Sequence, residues 1–151
     1  MSQKRFLRVM KTALFVLGLA VSSFAHAEEA PKMIVEPSAT KVSLAKANLI
    51  VSTLEHEKEA YLGSYQLKVT PFTFKSETGK LFLQASDETV MQMTKGEPVK
   101  FTGKATNDKG DVKVVTGQTT PADTSHGAVS FSVQTENGPM VFNTSYKLVR
   151  R

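Results

Sequence analysis

The chain has 151 residues, no cysteine, and a formal charge of +5 from 19 Lys plus Arg against 14 Asp plus Glu. The length admits one ordinary domain rather than two. The missing cysteine excludes disulfides, thiolate metal sites and cysteine nucleophiles together.

Residues 1–27 read as a secretory signal. Lys4, Arg5, Arg8 and Lys11 make a positive start, an apolar run covers residues 13–21, and Ala25-His26-Ala27 supplies a small-residue cleavage pattern. A bilayer-spanning helix needs roughly 20 apolar residues, so the run is too short to anchor and cleavage is expected after Ala27. The expected product carries no transmembrane segment and is exported to a bacterial periplasm or beyond the cell. Those four bases lie in the signal and no acid does, so the chain from Glu28 onward carries +1. Basicity then belongs to targeting, and no nucleic-acid partner is expected.

Residues 28–38 contain Pro31 and Pro37 with little periodicity and read as a flexible leader. Residues 39–151 form a single β-rich domain. Its first stretch lacks glycine and proline through Leu62, and Leu44, Ala47, Val51 and Leu54 share a helical stripe. This predicts a possible N-terminal helix over 43–59. The rival is a strand, because residues 49–53 have β character and Glu55, Glu57 and Glu59 would oppose a helix dipole.

Tyr65, Leu67 and Val69 then alternate with polar residues as a half-buried strand does. Pro71 implies an edge or a bend, Phe72 and Phe74 follow in another register, and residues 76–79 read as a turn before a strand through Leu81, Leu83 and Ala85. Ser86 opens a short helix over 87–95, with Val90, Met91 and Met93 apolar and Gly96 as its stop. Four strands close the chain, marked by Val99, Phe101 and Ala105, by residues 112–119, by Val129, Phe131 and Val133, and by Met140 through Leu148. Gly103 and Gly117 inside strands suggest bulges or bends. The expected class is mainly β (all-β or α+β), a small antiparallel barrel or sandwich of about six to seven strands in a meander. Six phenylalanines and three tyrosines beyond residue 27 are expected to fill an interior too narrow for a ligand, since a cavity generally needs about eight strands.

Chemistry-bearing residues are few. His56 lies among Glu55, Glu57 and Glu59, whose side chains diverge on helix or strand alike, so a solvated face rather than a metal site is expected. The best candidate is the loop containing Asp123, Ser125 and His126. A nucleophilic triad is assembled from separated segments, whereas Asp and Ser in a turn bond to the local backbone. The loop therefore reads first as a structural turn and second as a polar binding rim to which Asp123 and His126 contribute, not as a catalytic centre. No Gly-rich phosphate loop occurs; Asn143-Thr144-Ser145 matches a glycosylation sequon but falls in the clearest strand. Phe72-Thr73-Phe74-Lys75 interleaves aromatic and basic residues, for which core packing is the simpler account.

These features predict no enzyme, no metal and no cofactor. The first expectation is an exported binding or interaction module for an unknown protein or surface partner. The alternative is a carrier of a small apolar ligand in a cleft between sheet and helices, lined by Met91 and Met93.

Overall fold

A computed structural model describes residues 29–150, so the signal at 1–27 and its cleavage point lie outside the described residues. Among the described residues there are ten strands: β1 Lys32–Val35, β2 Ser38–Val42, β3 Ala45–Val51, β4 Glu55–Glu57, β5 Ala60–Thr70, β6 Glu77–Gln84, β7 Lys100–Asn107, β8 Val112–Pro121, β9 His126–Thr135 and β10 Gly138–Val149. One helix, α1 Asp87–Thr94, separates β6 from β7. The strands make one antiparallel sheet in the order β1-β10-β9-β8-β7-β6-β5-β3-β2, with β4 folded back on β5. From β5 to β10 this is the expected meander. The sheet curls into a half-barrel, and β1 reaches across it: the Met33 and Leu54 backbones exchange N–H to carbonyl bonds of 2.9 and 2.8 Å.

The strand count exceeds the expected six to seven because the N-terminal quarter of the domain is also sheet. The helix expected over 43–59 is replaced by β3, a short link and β4. Ala47, Leu49 and Val51 are buried at a period of two, each opposite an equally buried residue of β5, Val69, Leu67 and Tyr65. Leu44, which completed the helical stripe, is 87% exposed at a hairpin tip. Pairing with a long central strand outweighs a weak helical pattern, as tertiary context commonly does. Residues 32–35, expected in a flexible leader, pair with β10 and bury Met33 and Val35.

Three further expectations change. Pro71 does not mark an edge, since β5 lies between β3 and β6; β5 ends at Thr70 and the chain bends at Pro71. Phe72 and Phe74 are not in a strand but in a loop containing a 3-10 turn, Thr73–Lys75, and β6 starts at Glu77, inside the segment expected to turn. Gly103 and Gly117 cause no bulge against β8 and β7, since the register runs through both. They allow close approach instead, because a Cβ on Gly117 would lie 2.5 Å from the Phe101 ring.

The inner face of the sheet carries the core. Phe131, Phe142, Leu54, Val115 and Val129 are almost wholly enclosed, each burial contributing about 1.5–3 kcal/mol for a large side chain. Phe101 and Phe131 meet edge to face with ring centres 5.7 Å apart. Phe72, Phe74 and Phe82 are exposed, so only half of the six phenylalanines fill the interior as expected.

The short helix forms where expected. The Ser86 hydroxyl accepts the Thr89 N–H at 3.2 Å, Asp87 and Glu88 occupy the favourable first turn, and Gly96 ends it at φ 76°. The Gly96 and Glu97 N–H groups donate to the carbonyls of Met93 and Gln92, a left-handed stop that glycine suits. Val90 and Met93 face the core while Met91 is exposed. The two methionines expected to line one cleft thus lie on different sides of α1.

Register fixes two ends. Lys46 pairs with Thr70, Gly79 with Asn107, and Val115 with Val133, so the turns at 43–44, 71–76, 107–111 and 136–137 share one end, the tip end. Helix α1, the β3–β4 link and the loop at 122–125 occupy the other, the helix end.

Candidate functional site

The loop holding Asp123, Ser125 and His126 is organised by Asp123. Its Oδ1 accepts the Ser125 N–H at 2.8 Å, the Ser125 hydroxyl at 3.1 Å and the His126 N–H at 2.9 Å, and Oδ2 lies 2.8 Å from His126 Nδ1. The Ser125 N–H bond first, then the bonds from His126 and the Ser125 hydroxyl, hold the Asp123 carboxyl below the usual carboxylate range despite a smaller desolvation effect. The three residues expected together are together. Their polar groups are directed at one another, and the serine hydroxyl bonds to the aspartate instead of the imidazole, so the arrangement is an Asx-type turn and not a nucleophile with its base. Beneath it the Tyr146 hydroxyl is buried without a hydrogen-bond partner. Burial raises its pKa, the nearby Thr119 hydroxyl acting against this and the Asp123 charge adding to it.

His56 does not face solvent with its acidic neighbours. Its Nε2 lies 2.7 Å from the Ala85 carbonyl, and its ring packs edge on to Tyr61, whose hydroxyl donates to the Pro31 carbonyl at 2.9 Å. Burial pushes the Tyr61 phenol up to about 12. Among the described residues, no group of three or more His, Asp or Glu is placed to hold a metal ion.

A polar constellation that sequence reading missed sits at the tip end. Lys113 Nζ donates to both carboxylate oxygens of Glu77 at 2.9 Å, the Tyr65 hydroxyl donates at 2.9 Å and Asn107 Nδ2 at 3.2 Å. Burial raises the Glu77 pKa, but the bonds from Lys113, Asn107 and Tyr65 outweigh it and leave the group below its usual range. Burial and the same carboxylate push Tyr65 upward. The signal was parity. Glu77 continues the inward series Gly79, Leu81, Leu83, and Lys113 is two residues before Val115 on β8.

This network lies over an apolar cavity of about 30 Å³ lined by residues including Leu49, Leu67, Val115, Phe131 and Phe142. That is room for a water or two, far below the roughly 300–1,000 Å³ of small-molecule sites. A broader groove of about 630 Å³ lies over the sheet beside α1, lined by Gln84, Lys100, Thr102, Thr116, Gln118 and Ser130 among others. It is open, and its surface is polar and apolar in nearly equal measure.

The tip end also exposes large apolar side chains. Leu44 forms the outer corner of the two-residue turn between Val42 and Ala45, where Ser43 takes the left-handed φ of 56° that tight hairpins favour. On the neighbouring loop Phe74 is 78% exposed; Phe72 meets it edge to face with ring centres 6.1 Å apart, and Lys75 Nζ lies 5.9 Å from the Phe72 ring centre. No protein family, curated protein or solved structure significantly matches the chain.

Proposed function

We propose that this protein is an exported, non-enzymatic binding module whose contact surface is the tip end of the half-barrel. The observation that carries the reading is the pairing of a filled interior with apolar side chains presented outside. Ile50, Phe82 and Met91 are exposed singly elsewhere, but the two most exposed large apolar side chains, Leu44 and Phe74, stand together on adjacent turns of the tip end, and such grouping marks a contact surface more often than scattered exposure does. The loop of Asp123, Ser125 and His126 stands at the opposite end as a secondary polar rim, its carboxylate already committed to its own backbone. The signal pattern of residues 1–27 supports export to the periplasm or beyond the cell.

The carrier alternative needs an enclosed void for an apolar ligand: the interior cavity is only about 30 Å³, and the groove of about 630 Å³ beside α1 is open and lined largely by hydroxyl- and amide-bearing residues, which leaves the carrier as the second reading. Native mass spectrometry of protein purified gently from its own compartment tests the choice. The module reading expects either the bare chain or a larger assembly. A reproducible small added mass released on denaturation would overturn it in favour of the carrier.

A further inference from the structure

Resting on the reading of the tip end as the contact surface, we infer that its partner is an anionic lipid surface, into whose interfacial layer Leu44, Phe72 and Phe74 insert. The three side chains belong to adjacent turns, since Lys46 beside the first turn pairs with Thr70 beside the second. They project from turns, and none of the three lines the cavity or the groove described above. Such tips fit a soft surface that deforms around them, where aromatic and aliphatic groups settle at the headgroup boundary.

Charge completes the case. Lys41, Lys46, Lys68 and Lys75 are all exposed and lie on the same two hairpins. The stretches 37–54 and 60–76 contain no Asp or Glu. The acid nearest to Lys75 in sequence, Glu77, is bonded to Lys113. The remaining acids of this end, Asp108, Asp111 and Glu136, lie on the other two turns, where the Thr78 hydroxyl bonds to Asp108 and Asn107 to Asp111. Glu57, Glu59, Asp87, Glu88, Glu97 and Asp123 lie at the helix end or beside it. The helix end mixes these acids with Lys32, Lys58, Lys95, Lys100 and Lys147, so the positive bias belongs to the two acid-free hairpins that carry Leu44, Phe72 and Phe74; it orients those tips toward a negative surface, with basic residues beside such a surface worth attraction that salt screens.

The test uses protein expressed from the full reading frame, purified in the form cells accumulate, and phosphatidylcholine vesicles with or without phosphatidylglycerol. Co-sedimentation is expected with the anionic vesicles and is expected to weaken steeply with added salt. A Leu44→Ser, Phe74→Ser variant is expected to lose about tenfold or more in partitioning, since a buried large apolar side chain is worth at least that factor. A Lys41→Ser, Lys46→Ser, Lys75→Ser variant is expected to lose the preference for phosphatidylglycerol. An unchanged thermal midpoint in each variant shows that the fold is intact. Absence of binding to anionic vesicles at low salt overturns the proposal, as does binding that the Leu44 and Phe74 substitutions leave unaltered. If vesicles are not bound while the same substitutions dissolve a defined complex with a protein, the lipid partner is wrong and the module reading stands. A small ligand released on denaturation would remove the module reading independently.

Discussion

The two ends of the half-barrel are closed by opposite means. At the helix end Val90 and Met93 of α1 pack on Val99 and the rest of the core, and His56 and Tyr61 direct their polar atoms at backbone carbonyls. At the tip end an ion pair with two further donors lies over the apolar interior, while Leu44 and Phe74 point outward. Folding alone favours the reverse, apolar groups inside and charges in water. The helix end therefore closes the fold mainly by apolar packing and the tip end by a polar network, and what stability does not explain at the tip end is the pair of most exposed large apolar side chains, Leu44 and Phe74.

The largest effect expected from this contrast is at the helix end. Met93 is 2% exposed, and Met93→Ala is expected to remove about 2–5 kcal/mol, transfer and cavity terms together, as a lower urea midpoint. A loss no greater than that of a surface substitution would mean that α1 is an accessory flap, and the contrast between the ends would fail.

The tip end is expected to show a smaller loss with a pH signature. Lys113→Ala leaves Glu77 half-enclosed with only Asn107 and Tyr65 as donors, a cost of about 1–3 kcal/mol for a polar group deprived of its main partner. Because the fold lowers the Glu77 pKa, the stability it contributes is present above the usual glutamate range and is lost as pH falls through and below it. Lys113→Ala should flatten that acid-side decline in denaturant midpoints. In base the sign reverses: Tyr61 is raised from 10.0 to about 12, so its share of stability is full below the ordinary tyrosine range and is lost as pH rises toward about 12. Tyr65 is raised as well, so alkaline loss should come from both ends; acid loss comes from the Glu77 network and from Asp123, which the fold also lowers, and only the Glu77 share should respond to Lys113→Ala. Tyrosinate absorbance followed alongside the unfolding midpoint separates the two.

A still smaller effect is expected at Gly96, where φ is 76° and a Cβ would approach the Asp123 carbonyl at 3.5 Å. Gly96→Ala is expected to cost about 1 kcal/mol, mainly the strain of a left-handed alanine, read as a modest drop in thermal midpoint. No change would show that the helix stop relaxes freely and that the junction between α1 and the loop at 122–125 is loose.

The helix end was largely legible in the sequence and the tip end was not. Ser86 and Gly96 are local signals, and the chain uses both as caps. The last strand shows its clean alternation because Phe142, Tyr146 and Leu148 point into the core while Val141, Asn143 and Ser145 face out. The strand β3 was obscured because alanine and leucine suit helix and strand alike and its partner β5 lies beyond another strand and a link; β1 was obscured because its partner β10 is at the other end of the chain. Glu77 was read as part of a turn because a carboxylate at an inward position makes sense only once Lys113, 36 residues away, is placed beside it. Asp123, Ser125 and His126 could be grouped because they are neighbours in the chain. Leu44 and Phe74 could not, since their shared location depends on the pairing of β3 with β5.

The smallest stability effect belongs to the residues that distinguish the tip end most. Leu44 and Phe74 are largely solvated, and neither belongs to the buried core, so Leu44→Ser and Phe74→Ser should each leave the unfolding free energy within about 0.5 kcal/mol of the parent chain. Equilibrium unfolding in urea measures this directly. A cost of several kcal/mol would mean that these side chains support the hairpins after all, and their exposure would be a structural accident. A near-zero cost separates their apolarity from folding, leaving an energetic reason for Leu44 and Phe74 that lies in contact with something outside the chain.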